Sequence, residues 1–226
     1  MTKKRGDKMT KTKKAAQISL IAWIAAILYT LLVKFVDVRP IGPEGSEVGF
    51  ALINGLWRDL VGVHPVWDKI SDGCLALEFL IVAAFGFVAL IQLIKGRSWY
   101  AIDDRVKVQD FFYLLVGLTY VFFEFVIINY RPVLSDDGVL KASYPSSHTV
   151  AVLTIAFSGL MTTRRIFHHS DQPTWMWVVP LTLAVIATVG RLISGMHWLS
   201  DVFGAILISA ALLMFYRIAL VYQEER

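Results

Sequence analysis

Cysteine is almost missing from this chain. Cys74 stands alone among 226 residues, which excludes an intrachain disulfide and a cysteine-based zinc cluster. Charge is scarce as well: Asp, Glu, Lys and Arg make up 18% of the residues, against 56% that are hydrophobic. An ordinary soluble domain carries about 25% charged residues, so this composition points to a chain that crosses a membrane several times. Internal repeats and low-complexity linkers are lacking. The basic run at 1–14, MTKKRGDKMTKTKK, has no interleaved aromatic residues for base stacking, which argues against a nucleic-acid partner. Attraction to anionic lipid accounts for its charge.

Apolar sequence is abundant. A helix spans the hydrocarbon with about 20 mostly apolar residues, and six windows qualify, at roughly 15–35, 74–94, 111–129, 149–167, 175–192 and 198–220. In lipid each backbone amide must be satisfied within its own helix. The expected fold is therefore all-α, a polytopic bundle of six transmembrane helices over 15–220, with a basic tail at 1–14 and a short tail at 221–226. The first apolar run is too long for a signal-peptide core and has no small-residue cleavage pattern, so it reads as an uncleaved anchor. Cys74 reads as a small packing residue at the start of the second span.

Lysine and arginine set the orientation. Residues 1–14 hold seven, the connection near 95–107 four, and Arg164, Arg165, Arg217 and Arg226 bring that side to fifteen. The other side has six: Arg39, Arg58, Lys69, Arg131, Lys141 and Arg191. The positive-inside rule then puts both termini in the cytoplasm and suggests a plasma-membrane location. The longest segment outside the spans, 37–73, breaks at Pro and Gly near 40–45 and then repeats Phe50, Ile53, Trp57 and Leu60 at helical spacing. It reads as an interfacial helix in the first external loop, either a cover for the bundle or a lid beside an external site.

Three polar clusters fall at the outer ends of spans: Glu124 and Arg131 in EFVIINYRP, Ser146, Ser147 and His148 in YPSSH, and Arg191, His197 and Asp201 in GRLISGMHWLSD. Ionisable groups at such places are functional suspects. His197 and Asp201 are four apart, on one face if helical; a carboxylate on one imidazole nitrogen leaves the other free as nucleophile or base. Arg131 and Arg191 offer forks of donors for phosphate oxygens. Ser146 can donate a hydroxyl, and the amides starting span four form an anion site. His148 remains as a general acid. Together these make a phosphoryl-transfer site that needs no metal. His64, His168 and His169 have no such context and read as surface residues.

RP, PSSH and GRLISGMHWLSD together resemble the three-part signature of the type 2 phosphatidic acid phosphatase superfamily, whose relatives include vanadium haloperoxidases. Arg191, His197 and Asp201 match its third part in identity and spacing. The resemblance implies that His197 attacks phosphorus to form a phosphohistidine, that Asp201 orients it, and that His148 protonates the leaving group and then activates water. It also implies that Arg131, Arg191, Ser146 and the amides near Ser147 hold the phosphoryl oxygens, with no cofactor. The expected partner is a phospholipid or polyprenyl (di)phosphate on the extracytoplasmic side. Haloperoxidase activity does not fit so apolar a chain.

Three positions depart from the signature. Ser147 stands for glycine, Gly190 for serine, and Glu124 for lysine. Glu124 lies seven residues before Arg131, so on one helix both would share a face. Three readings stay open: Lys141 supplies the missing charge, the substrate carries a cation that Glu124 meets, or Glu124 is a structural partner of Arg131 or a tyrosine. The departures also keep alive a non-catalytic lipid-phosphate binder or envelope-assembly protein, and a phosphotransferase.

Overall fold

The structure is a computed structural model that describes residues 2–135, 137–166 and 173–225, with side chains from residue 11 onward. His168 and His169 lie outside the described residues. Seven α-helices follow in order: α1 (Thr2–Phe35), α2 (Ala51–Val61), α3 (Pro65–Gly96), α4 (Asp104–Phe125), α5 (Ser147–Ile166), α6 (Trp175–Ser194) and α7 (Leu199–Glu225). Among the described residues there is no extended sheet, only the isolated antiparallel bridges Arg39 to Val48 and Tyr130 to Ala142. The all-α expectation holds.

Five helices, all but α2 and α5, are long and apolar enough to cross a membrane, and the chain is an integral, multi-pass membrane protein. Large side chains such as Leu20, Ile21 and Leu28 on α1 or Leu80 and Phe87 on α3 face outward, as expected where the solvent is hydrocarbon. α7 is the axis of the bundle. Its Leu212, Tyr216 and Leu220 are buried with Ala26 and Val33 of α1 and Phe112 of α4. A second cluster joins Cys74 of α3 to Val152 and Ala156 of α5 and Ala184 and Ala187 of α6, so Cys74 is indeed a packing residue.

α5 is less apolar than its neighbours because its polar residues face other helices rather than lipid. Ser158 and Thr162 meet Gln109 of α4 at 2.8 and 2.6 Å, and Thr162 also bonds to Tyr216 of α7. Buried polar groups are tolerable when they satisfy one another.

The boundaries differ from the sequence reading in three informative places. α1 begins at Thr2, not near residue 15. α3 begins at Pro65, within the 37–73 segment, because proline has no N–H to lose in a first turn. α4 stops at Phe125 instead of reaching Asn129. Asn129 is drawn away by tertiary bonds: its amide accepts from the Gly49 N–H at 3.0 Å and donates to Asp201 at 3.2 Å.

The helix expected within 37–73 is α2. Leu52, Ile53, Leu56 and Leu60 are exposed, whereas Ala51 and Asn54 are buried. Its inner face is bonded to the α6–α7 region. Trp57 Nε1 donates to the Leu192 carbonyl at 2.9 Å, and Asn54 exchanges bonds with Ser200 at 2.9 and 3.0 Å.

Candidate active site

Four chain segments converge at one end of the bundle: the start of α3, the loop after α4 with the start of α5, the end of α6, and the turn into α7. The turn at 195–198 carries His197. It is made possible by Gly195, whose φ of +69° ends α6 in a left-handed conformation. A Cβ at Gly195 would also fall 2.2 Å from the Gly62 carbonyl oxygen, so only glycine lets this turn press against the α2–α3 turn.

His197 is buried, and its Nδ1 lies 3.1 Å from the carbonyl oxygen of Ser143. A carbonyl can only accept, so Nδ1 carries the proton and Nε2 keeps its lone pair. Nε2 is buried without a partner. Burial pushes this imidazole below its ordinary value; the Asp201 carboxylate works against that, and the guanidiniums of Arg131 and Arg191 work with it.

The sequence expects Asp201 to bind the ring directly, from the same helix face. Instead α7 starts at Leu199, so His197 precedes the helix, and Asp201 Oδ2 is 3.9 Å from Nδ1, too far for a hydrogen bond. The Ser143 hydroxyl bonds to that carboxylate oxygen and lies 3.3 Å from Nδ1. Asp201 also accepts from the Trp198 N–H at 2.9 Å and from Asn129. Its oxygens are thus held by three donors, which suits an ionised group.

His148 is the second residue of α5. Its Nε2 is 2.9 Å from Asp72 Oδ1, and its Nδ1 is unpartnered. Arg191, 1% exposed, sits in the last turn of α6. Its two terminal nitrogens bond to Asp68 and Asp72 of α3, while its Nε has no partner. Arg131 follows α4 in the loop; its N–H donates to the Lys141 carbonyl at 3.0 Å and its Nε to Ala142 at 3.4 Å.

His197, His148, Ser147 and Arg131 line one cavity of about 420 Å³, within the range of small-molecule sites. Below them the walls are apolar: Leu75, Phe79 and Val82 of α3, Val116 of α4 and Ile155 of α5. The arrangement offers a nucleophilic nitrogen, an acid–base nitrogen and a guanidinium at the mouth of a greasy slot. Ser146 is placed differently from Ser147. It is buried, its N–H donates to the Asp201 carbonyl at 3.1 Å, and its Oγ accepts from Thr149 at 3.1 Å.

The departures take definite positions. Because α4 ends at Phe125, Glu124 and Arg131 do not share a helix face, although both line the cavity. Lys141 pairs with Asp137 at 3.5 Å. At Gly190 a Cβ would stand 2.4 Å from Ser71 Oγ and 3.1 Å from the Trp67 carbonyl oxygen, so a serine there has no room while α3 packs as it does.

Sequence reasoning missed Ser143, Asn129, Asp68 and Asp72. The two aspartates carried a signal in DKISD: two acids one turn apart at the start of a span. Ser143 and Asn129 carried none, since each acts through a loop whose path no local pattern fixes.

Comparison with known proteins bears on the family and the fold. The family model described as PAP2 superfamily matches residues 80–225. The chain is 34% identical over 195 residues to an undecaprenyl-diphosphatase of Sulfolobus acidocaldarius, covering 80% of this chain and 82% of that protein. It is 35% identical over 89 residues to human sphingosine-1-phosphate phosphatase 2, covering 37% of this chain and 21% of that one. The fold is similar to the crystal structure of a transmembrane PAP2 type phosphatidylglycerolphosphate phosphatase from Bacillus subtilis, with a TM-score of 0.52 at 13% identity. That match covers 88% of this chain and 94% of the other.

Proposed function

The chain belongs to the PAP2 superfamily, and from that premise we propose that it hydrolyses a polyprenyl diphosphate or related lipid phosphate through a phosphohistidine on His197. It is a membrane phosphatase of that family. One observation carries the finer reading: Nε2 of His197 and Nδ1 of His148 are both buried, both unpartnered, and belong to residues lining the same cavity. An unmet buried polar atom costs about 1–3 kcal/mol; a phosphate headgroup between the two rings would accept from protonated His148 Nδ1 and set its phosphorus before the lone pair of His197 Nε2.

In this mechanism His197 Nε2 attacks phosphorus in line while Nδ1–H stays on the Ser143 carbonyl. Asp201, through Ser143, stabilises the positive ring that forms. His148 gives a proton to the departing oxygen, then takes one from the water that splits the phosphorus–nitrogen bond. Arg131, Arg191 and the amides starting α5 hold the phosphoryl oxygens, Ser147 at the surface of the cavity and Ser146 from beneath. Transfers of this kind depend on positioning and charge neutralisation. The apolar slot between α3, α4 and α5 takes the lipid chain, and the undecaprenyl-diphosphatase relative favours a polyprenyl diphosphate.

The topology proposed with it has six spans, α5 included, both termini in the cytoplasm and the site on the outer face, as the lysine and arginine counts require. The test is phosphate release by detergent-solubilised protein from lipid monophosphates and diphosphates with EDTA present. Turnover lost in His197→Ala supports the reading; turnover retained there removes the nucleophile.

A second reading has one observation in its favour. Asp68 and Asp72 already hold both terminal nitrogens of Arg191, which suits a weak lipid-phosphate binder. Binding without turnover across the same substrates would identify it.

A further inference from the structure

We infer that Asp72 is a positioning residue for the acid–base histidine, His148, doing for it what the Ser143–Asp201 pair does for His197. The inference rests on the phosphatase reading above. Three observations carry it. Asp72 Oδ1 lies 2.9 Å from His148 Nε2. The opposite nitrogen, Nδ1, is buried with no partner, and His148 lines the same cavity as His197. The same carboxylate oxygen also bonds to the Arg191 side chain, which is 1% exposed and anchored again by Asp68, so Asp72, although its side chain is 53% exposed, is tied to two partners.

The position of Asp72 follows from a departure in the sequence that the phosphatase reading leaves unused. Where the signature has serine the chain has Gly190, and Ser71 of α3 fills the space: its Oγ stands 2.4 Å from where a Cβ would be and donates to the Ala187 carbonyl at 3.0 Å. α3 therefore packs against α6 at the level of Arg191. Asp68 and Asp72, one helical turn apart, both turn toward Arg191 there, and Asp72 reaches His148 as well. The bare Gly190 and the placing of the Asp72 carboxylate thus meet in one contact between α3 and α6.

Chemically, an ionised Asp72 accepting from Nε2–H makes Nδ1 the working nitrogen. In the first half-reaction the His197 Nε2 lone pair bonds to phosphorus as the phosphorus–oxygen bond breaks, the electron pair of that bond leaves with the oxygen, and that oxygen takes the proton from Nδ1 of protonated His148. Neutral His148 keeps Nε2–H on Asp72. In the second half Nδ1 takes a proton from water as the water oxygen bonds to phosphorus and the phosphorus–nitrogen pair returns to His197. Asp72 keeps its charge throughout and stabilises His148 whenever the ring is positive.

The experiment compares leaving groups on the full-length protein in detergent. The alcohol of an alkyl phosphate leaves as a basic alkoxide and needs the acid; that of p-nitrophenyl phosphate leaves as a weakly basic phenolate and barely does. General acids contribute typically 10²–10⁴-fold. Asp72→Asn should lower kcat/KM on the alkyl phosphate, which reports only the steps up to departure of the alcohol, by about 30–100-fold with KM nearly constant. The loss should shrink to about threefold on p-nitrophenyl phosphate, which also reports that the variant is folded. Asp72→Glu should restore most of the alkyl activity. In a His148→Ala background Asp72→Asn should cost no more on the alkyl substrate than Asp68→Asn does, because coupled residues are not additive and only the shared contact to Arg191 is then left to lose. Asp68→Asn, which touches Arg191 alone, should lower both substrates alike.

Equal losses of Asp72→Asn on both substrates, or a further loss in the His148→Ala background larger than Asp68→Asn causes there, would overturn the inference. A fall in KM would also overturn it, since the carboxylate would then be a competitor of phosphate at Arg191. His197→Ala separates the two levels: activity retained there removes the phosphatase reading itself, whereas a dead His197→Ala beside an unaffected Asp72→Asn removes only the role of Asp72.

Discussion

The Asp201 carboxylate reaches the His197 ring through Ser143: Oδ2 stands 3.9 Å from Nδ1, and the serine hydroxyl bonds to the acid while lying 3.3 Å from the imidazole. The Ser143 carbonyl fixes the tautomer at 3.1 Å. One residue thus supplies the backbone acceptor that aims the ring and the side chain that relays the charge behind it.

Ser143→Ala keeps the carbonyl and removes the relay. A hydrogen bond to a charged group is worth about 1.5–3 kcal/mol, and 1.36 kcal/mol is tenfold in rate. The variant should therefore lose roughly 10–100-fold in kcat with KM nearly unchanged, measured by phosphate release. Wild-type kcat would mean that Asp201 serves the ring without the hydroxyl.

Burial lowers the proton affinity of His197, and this fixes the sign of two pH effects. The unfolded imidazole titrates near about 6.5 and the folded one below that. As pH falls through that window the unfolded chain takes the proton first, so the stability that neutral His197 contributes is complete above the unfolded value and declines below it. The nucleophile stays unprotonated over the same range. The acid limb of kcat/KM, corrected for substrate ionisation, should lie below pH 6.5, while thermal stability already falls there. An acid limb above that value contradicts the buried, neutral ring.

Much of this was legible in the sequence, and the boundary is physical. Apolar runs announce helices because lipid leaves the backbone no other choice, and the spacing from Arg191 to His197 to Asp201 is local. Ser143 and Asn129 could not be read, because their roles depend on the loop between α4 and α5 folding back so that Tyr130 pairs with Ala142. The same fold-back explains why Arg131 leaves the helix that carries Glu124. Asp72 showed in the sequence as half of an acidic pair in DKISD, but its partners depend on the α3–α6 contact at Gly190, a tertiary fact that no local pattern expresses.

That contact is testable by itself. Gly190→Ala puts a methyl group 2.4 Å from Ser71 Oγ, and overpacking of this kind costs about 1–3 kcal/mol. Ser71→Ala removes the clashing oxygen and leaves Ser71 Cβ at 3.8 Å, an ordinary contact. The double variant should therefore be more stable in a detergent melt than the sum of the single changes predicts. Simple additivity would show that α3 and α6 do not meet there.

Glu124 poses the last question of charge. It lines the cavity with Arg131, and Tyr120 lies close enough to share its field. A unit charge several ångströms from another in a solvated setting is worth on the order of 1 kcal/mol, about fivefold, and exchanging carboxylate for ammonium changes the local charge by two. Glu124→Lys should therefore raise kcat/KM for a lipid diphosphate without an amine by roughly 25-fold, and Glu124→Gln by roughly fivefold. Added salt should shrink the difference, because these charges are partly screened. If the gain reverses on a lipid phosphate that carries an ammonium, the carboxylate is recognising that cation. If neither substrate responds, the cavity holds its anion through Arg131, Arg191 and the α5 amides alone, and Glu124 serves the fold.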